Sequence, residues 1–96
     1  MSRGDIYRFR LYTADGTHNS ALALANLTAL CDEYLANRHE IEIVDVFREP
    51  QRALTDGIRM TPTLLKLVPA PGCRIVGSLS QTARVLTALG LEERAA

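Results

Sequence analysis

The stretch Met60-Thr61-Pro62-Thr63-Leu64-Leu65-Lys66-Leu67-Val68 places a proline directly before a short apolar segment. Proline has no amide hydrogen and a fixed φ, so it is excluded from the interior of a paired central strand but suits a strand's first residue. The threonine on each side of Pro62 favours an extended backbone. The sequence therefore predicts a strand over 63–68 that the chain enters through Pro62.

The chain before this stretch has the pattern of a strand, a helix and a second strand. Alternating side chains predict strands over 6–13 and 40–47. Leucines at helical spacing predict a helix over 19–37, with Thr17 or Asn19 as its capping residue. A strand, a helix of about 18 residues and another strand form a βαβ unit, whose two strands are parallel.

A short helix is predicted between this unit and the proline. Pro50 suits the first position of a helix over 50–56, and Gly57 is expected to end it. Only Ala53 and Leu54 are candidates for burial in this segment. A helix this short is unstable by itself, so we expect packing against the sheet to hold it.

The residues after the strand predict a hairpin and a closing helix. Two prolines and a glycine in 69–72 indicate a turn, and a short strand over 74–76 follows it, so the last two strands are antiparallel. Ser78 and Gln81 fit a capping box for a last helix that Gly90 ends. The predicted order is βαβαββα, an α/β fold with a mixed four-stranded sheet.

Length and composition predict one domain over residues 1–96 without an attraction to polyanions. The chain has 11 basic and 11 acidic residues, so it carries no net field for nucleic acid or an anionic membrane. No apolar run approaches the roughly 18 residues of a membrane span, and we expect a cytoplasmic protein. Cys31 and Cys73 form neither a CxxC motif nor a metal-ligand cluster, so we expect free thiols and no metal or cofactor.

The predicted order resembles a thioredoxin-like domain without its first strand and helix. In that fold a cis proline precedes the corresponding strand, so the resemblance implies that Pro62 is cis. Catalytic members carry a cysteine at the start of the first helix, where the helix N-terminus stabilises a thiolate. The equivalent segment here, 15–20, contains no cysteine. A thiol-dependent enzyme is therefore the disfavoured alternative.

Several short motifs occur together at spacings typical of one family. They are the segments Tyr7–Tyr12, Asn19–Ser20, Ile43–Val46, Pro50–Gln51, Thr61–Leu64, Lys66, Pro69–Pro71 and Arg74–Ser80. In this combination, over residues 6–90, the chain resembles KaiB, the small clock protein of cyanobacteria with relatives in other bacteria.

The resemblance implies a non-enzymatic adaptor. KaiB binds the ring ATPase KaiC, helps capture KaiA, and competes with a histidine kinase whose sensor domain is thioredoxin-like. The family also switches folds between a tetramer of order βαββααβ and a thioredoxin-like monomer, and only the monomer binds KaiC. Here the capping box and the strand-forming Ile75-Val76 favour the thioredoxin-like form as the resting state.

The resemblance also suggests which residues bind the partner. Around the short helix they are Arg48, Glu49, Pro50, Gln51, Arg52, Gly57 and Ile58. Lys66 is predicted to be a charged contact on an exposed strand face. Pro62 and Pro71 are predicted to determine the fold. Arg48, Arg52 and Arg59 form either a basic patch or three ordinary surface arginines.

Some positions depart from the family. Gly57 replaces a lysine usual in clock members, and Glu40 and Glu42 make the strand that meets KaiA more acidic. Reversed charge changes partner choice more than fold, which makes KaiA a doubtful partner. A divergent KaiB paralogue acting as a stress-response adaptor with another partner remains the alternative.

Overall fold

The computed structural model describes residues 5–91, so the ends of the predicted domain, 1–4 and 92–96, lie outside the described residues. The elements are β1 (Tyr7–Thr13), α1 (His18–Tyr34), β2 (His39–Asp45), α2 (Pro50–Thr55), β3 (Thr63–Val68), β4 (Cys73–Val76) and α3 (Thr82–Leu89). The predicted order βαβαββα is confirmed. The second half is the hairpin and closing helix of the thioredoxin-like form, not the alternative βαββααβ arrangement.

The four strands form one mixed sheet in the order β2-β1-β3-β4. β1 and β2 are parallel, and β3 runs antiparallel to both β1 and β4. The predicted parallel βαβ unit and the predicted hairpin are therefore both confirmed. In this order β2 and β4 form the two edges of the sheet.

Apolar side chains fill both sides of the sheet, because alternate residues of each strand point to opposite faces. Phe9 and Leu11 of β1 join Leu27 of α1 and Leu86 of α3 in the larger cluster, on the side that α1 and α3 cover. The smaller cluster on the opposite side is Tyr12, Val44, Ala53 and Leu65, which lies beneath α2. No helix within residues 5–91 is long and apolar enough to cross a membrane.

The ends of α1 differ from the prediction of a helix over 19–37. Thr17 is the capping residue, but its side chain makes no cap hydrogen bond; its hydroxyl donates to the Ala14 carbonyl at 2.7 Å. At the other end the backbone leaves the helix at Leu35, whose side chain is fully buried in the core. Asn37, the predicted stop, takes the left-handed conformation (φ 60°) beyond that end.

The predicted capping box at the start of α3 is wrong. Gln81 is the capping residue of α3, and it makes no side-chain cap hydrogen bond. The Ser78 carbonyl instead accepts from Asn26 Nδ2 at 2.8 Å, and Leu79 buries its side chain in the main core. Long-range contacts therefore hold this segment where the sequence suggested a local motif.

The prolines of the second half precede and follow β3. The Thr61–Pro62 bond is cis as predicted, Ala70–Pro71 is also cis, and Val68–Pro69 is a further cis bond that the sequence did not indicate. Pro62 is buried, and its carbonyl accepts from the Gly77 amide at 2.9 Å. This hydrogen bond joins the end of β4 to the start of β3.

Candidate docking surface

All the predicted partner-binding residues except Lys66 lie in the connection between β2 and β3, residues 46–62, which we call the α2 crossover. Pro50 occupies the first position of α2 and Glu49 is its capping residue, again without a side-chain cap hydrogen bond. Gly57, at φ 67°, reverses the chain after the helix. The Ile58 amide then donates to the Ala53 carbonyl at 2.8 Å, which closes the helix end.

One side of α2 packs on the sheet and the other faces solvent. Ala53 is buried against Tyr12, Val44 and Leu65. Leu54, which the sequence suggested as a core residue, is 71% exposed. Consecutive helical residues are turned by about 100°, so the face that buries Ala53 cannot also bury its neighbour.

A polar network fastens α2 to the sheet. It consists of Arg10, Tyr12, Glu42, Arg52 and Asp56, and we call it the latch. Glu42 accepts from Arg10 Nε at 2.8 Å and pairs with Arg52 Nη2 at 2.7 Å. Asp56 accepts from Arg10 Nη1 at 3.0 Å and from the Tyr12 hydroxyl, which is also 3.1 Å from the Arg52 carbonyl. The latch joins β1 and β2 to the middle and the C-terminal end of the short helix.

The latch shifts the pKa values of its acidic members. The Arg10 and Arg52 hydrogen bonds lower the pKa of Glu42. The Tyr12 hydroxyl and the Arg10 guanidinium lower the pKa of Asp56. Burial raises the pKa of Tyr12, and its hydrogen bond to Asp56 adds to that increase. The network therefore favours the ionised carboxylates of Glu42 and Asp56 and the protonated phenol of Tyr12.

We predict that acid weakens the fold through the latch. Since the pKa values of Glu42 and Asp56 are lowered in the folded protein, their stabilisation is complete above the ordinary carboxyl pKa of about 4 and is lost as pH falls through the lowered values. Urea unfolding should show the free energy of unfolding falling between about pH 5 and pH 3.

The double variant Glu42→Gln/Asp56→Asn should show a shallower fall with pH. Glu40→Gln is the matched control, because among residues 5–91 Glu40 forms an ion pair only with the exposed Arg8, at 3.4 Å, and this variant should keep the wild-type slope. Equal slopes in the double variant and the wild type would contradict this role of the latch.

Seven of the predicted partner-binding residues come together on the α2 crossover. They are Arg48, Glu49, Pro50, Gln51, Arg52, Gly57 and Ile58. Arg52 and Ile58 are half-buried and contribute to holding the helix, whereas the others are exposed. Pro62 and Pro71 lie outside this group, before and after β3.

Comparisons with known proteins place this arrangement in a family. The family model described as the KaiB domain matches residues 10–91. The chain belongs to the KaiB family. It is 43% identical over 83 residues to the circadian clock protein KaiB3 of a Synechocystis species, covering 86% of this chain and 79% of that one. It is 40% identical over 91 residues to the circadian clock oscillator protein KaiB of a Synechococcus species, covering 95% and 83%.

Solved structures support the thioredoxin-like fold. The N-terminal domain of Synechococcus elongatus SasA matches with a TM-score of 0.73 and 16% identity, over 100% of this chain and 94% of that one. Chloroplastic thioredoxin z matches with a TM-score of 0.73 and 20% identity, over 90% and 80%. At these identities the likeness concerns the fold.

Lys66 differs from its expected place in this KaiB-family chain. The sequence suggested an exposed strand face, but Lys66 is 5% exposed and lies on the side of the sheet that α3 covers. Its ammonium donates to the Leu89 carbonyl at 3.2 Å and lies 5.7 Å from the centroid of the Tyr7 ring. The exposure prediction is wrong because the end of α3 supplies an acceptor inside the fold.

Sequence reasoning missed the latch and the arginine that supports it. Arg74 of β4 donates to the carbonyls of Asp56 and Gly57, directly beyond α2. One signal was available for the latch, since aligning the two parallel strands places Arg10 opposite Glu42. No local pattern indicates that Arg74 reaches the end of α2.

The two thiols are free, as predicted. Cys31 lies inside α1 and is buried, and burial raises its pKa to about 12. A thiol with that pKa is protonated at neutral pH and does not supply the thiolate that redox catalysis uses. Within residues 5–91, His, Cys, Asp and Glu side chains form no group of three that could hold a metal ion.

Proposed function

We propose that this KaiB-family protein is a non-enzymatic, clock-type adaptor of the cytoplasm. In this proposal the thioredoxin-like monomer docks through the α2 crossover on a KaiC-type ring ATPase. The observation that carries the proposal is the exposed segment 48–51, held in a fixed position because the latch fastens α2 to the sheet. Family membership supports the clock role.

A second candidate is an adaptor of the same surface for a different partner. Glu40 and Glu42 lie on the edge strand β2, and each pairs with an arginine of β1. Charged residues at an edge strand change which partner it accepts, so KaiA capture is not included in the proposed function. Binding to the KaiC-type ATPase separates the two candidates.

The test is a titration against the KaiC-type ATPase of the same genome, in both nucleotide states. Arg48→Glu should weaken the complex about tenfold through lost charge complementarity. The fold should be unaffected, because the Arg48 side chain is 80% exposed and its carboxylate partner, Asp45, is 3.8 Å away. Arg84→Glu, at an exposed arginine of α3, makes the same charge change and should retain wild-type affinity.

Arg52→Glu is a less specific test of the same surface. It would place a third carboxylate beside Glu42 and Glu49, the two partners of Arg52 in the folded protein. Any loss of binding would then combine contact with loss of the latch. An absence of binding by the wild type in both nucleotide states would contradict the proposed function.

A further inference from the structure

The most exposed large apolar side chains within residues 5–91 all lie in the α2 crossover. Phe47 is 72% exposed, Leu54 71% and Met60 64%. The next in order are Val76 at 51% and Ile43 at 49%, on the two edge strands. Aromatic and methionine side chains are enriched at protein interfaces, and Phe47 and Met60 belong to these classes. Together with the exposed Leu54, they indicate a contact surface in this connection.

Hydrogen bonds fix the backbone around these three residues. The Phe47 amide donates to Asp45 Oδ1 at 2.9 Å. The Leu54 carbonyl accepts from the Gly57 amide at 3.0 Å, and the Met60 carbonyl accepts from the Thr63 hydroxyl at 2.6 Å. A surface that is already ordered loses less conformational entropy when it binds, which favours its use in recognition.

The charge available to a partner on this surface is positive. Of the arginines on or next to the crossover, Arg10 and Arg52 form ion pairs with Glu42 in the latch. Arg74 donates to the Gly57 carbonyl after the end of α2. Arg48 is 80% exposed with one carboxylate at 3.8 Å, and Arg59 is exposed and forms no ion pair with any of residues 5–91. Of Arg48, Arg52 and Arg59, which form either a basic patch or three ordinary surface arginines, Arg48 and Arg59 are therefore the two outside the latch.

We infer that the α2 crossover presents three exposed apolar side chains, Phe47, Leu54 and Met60, which we call the apolar centre, together with the exposed cations of Arg48 and Arg59. Its partner is then a protein surface with an apolar hollow and an acidic rim. The inference rests on the proposed function, since it describes the patch of the KaiC-type ATPase that would receive this surface. The apolar centre supplies affinity, and the two arginines supply orientation and rate of association.

The apolar centre is tested by Leu54→Gln and Phe47→Ser in the same titration. Each should weaken the complex about tenfold or more, as interface anchors do, and neither should change its salt dependence. Leu22→Gln is the matched control, because Leu22 is an exposed leucine on α1, and it should retain wild-type affinity. Glutamine keeps helix propensity close to that of leucine, so both helices should persist.

The acidic rim is tested by the double variant Arg48→Gln/Arg59→Gln. Wild-type affinity should fall as salt rises from about 0.05 to 0.5 M, and the double variant should lose most of that dependence. Arg84→Gln should keep the wild-type salt dependence. Thermal unfolding of every variant is compared first, and Met60→Gln replaces any apolar variant that lowers the midpoint.

The outcomes separate this inference from the proposed function. If the wild type binds and the apolar variants bind equally well, the apolar centre is wrong while the adaptor role stands. If the arginine double variant keeps the full salt dependence, the acidic rim is wrong. If the wild type does not bind, the proposed function fails, and this description of its partner fails with it.

Discussion

Asp56→Ala is expected to lower the free energy of unfolding by about 1–3 kcal/mol, the cost of leaving the Tyr12 and Arg10 donors without their acceptor. Asp56 accepts from the Tyr12 hydroxyl and, at 3.0 Å, from Arg10 Nη1. The Tyr12 side chain is buried but the Asp56 side chain is 24% exposed, so water that enters at position 56 recovers part of the loss. The Arg52 carbonyl, 3.1 Å away, would be the remaining acceptor of the Tyr12 hydroxyl, which limits the loss.

The measurement is urea unfolding of a double-mutant cycle with Tyr12→Phe. Phenylalanine removes the donor, so Asp56→Ala should cost less in that background, with a coupling of about 1 kcal/mol. Asp32→Ala is the control, because Asp32 is an exposed carboxylate on α1, and it should change stability by less than about 0.5 kcal/mol. An Asp56→Ala value no larger than that of the control would show that the latch does not stabilise the fold.

The elements of this fold could be predicted because their signals are local. Two-residue alternation marked the strands of the βαβ unit, and the prolines and glycine of 69–72 marked the hairpin. The latch could not be predicted in the same way. Arg10 is 32 positions from Glu42 and 46 from Asp56, and Tyr12 is 44 from Asp56. Only the folded sheet brings these side chains together.

Predictions from local sequence patterns were wrong where long-range contacts determined the structure. The capping box at 78–81 is absent because α3 begins only at Thr82, with Gln81 as its capping residue. Asn26 of α1 binds the Ser78 carbonyl and the core buries the Leu79 side chain in the segment before it. The burial of Leu54 was predicted from hydrophobicity alone, and the small Ala53 fills the inner position instead. At the candidate docking surface, composition identified the arginines but could not say which of them were already paired.

Lys66→Glu should have the largest effect of the substitutions considered, a loss of about 3–5 kcal/mol, as expected when a buried charge loses its partner. The Lys66 ammonium is buried and donates to the Leu89 carbonyl at the end of α3. The last carbonyls of a helix have no partner within it, and they form the negative end of its dipole. A glutamate carboxylate at position 66 would face the Leu89 carbonyl oxygen, and neither group could donate a hydrogen bond to the other.

Lys66→Met separates the charge from the packing of the side chain. Methionine keeps an unbranched apolar side chain at this buried position but removes the ammonium donor, so the expected loss is about 1–2 kcal/mol. Arg84→Glu, a charge reversal at an exposed position of α3, is the control and should be nearly neutral. Urea unfolding gives the free energies, and amide chemical shifts of α3 show whether the helix detaches.

A selective loss of α3 in the Lys66 variants would show that this lysine fastens the last helix to β3. Because α3 closes the thioredoxin-like arrangement of the second half, its detachment should also weaken the proposed binding to a KaiC-type ATPase, although Lys66 lies outside the α2 crossover. Wild-type stability in Lys66→Glu would contradict the buried contact, and would return Lys66 to the surface role that its charge first suggested.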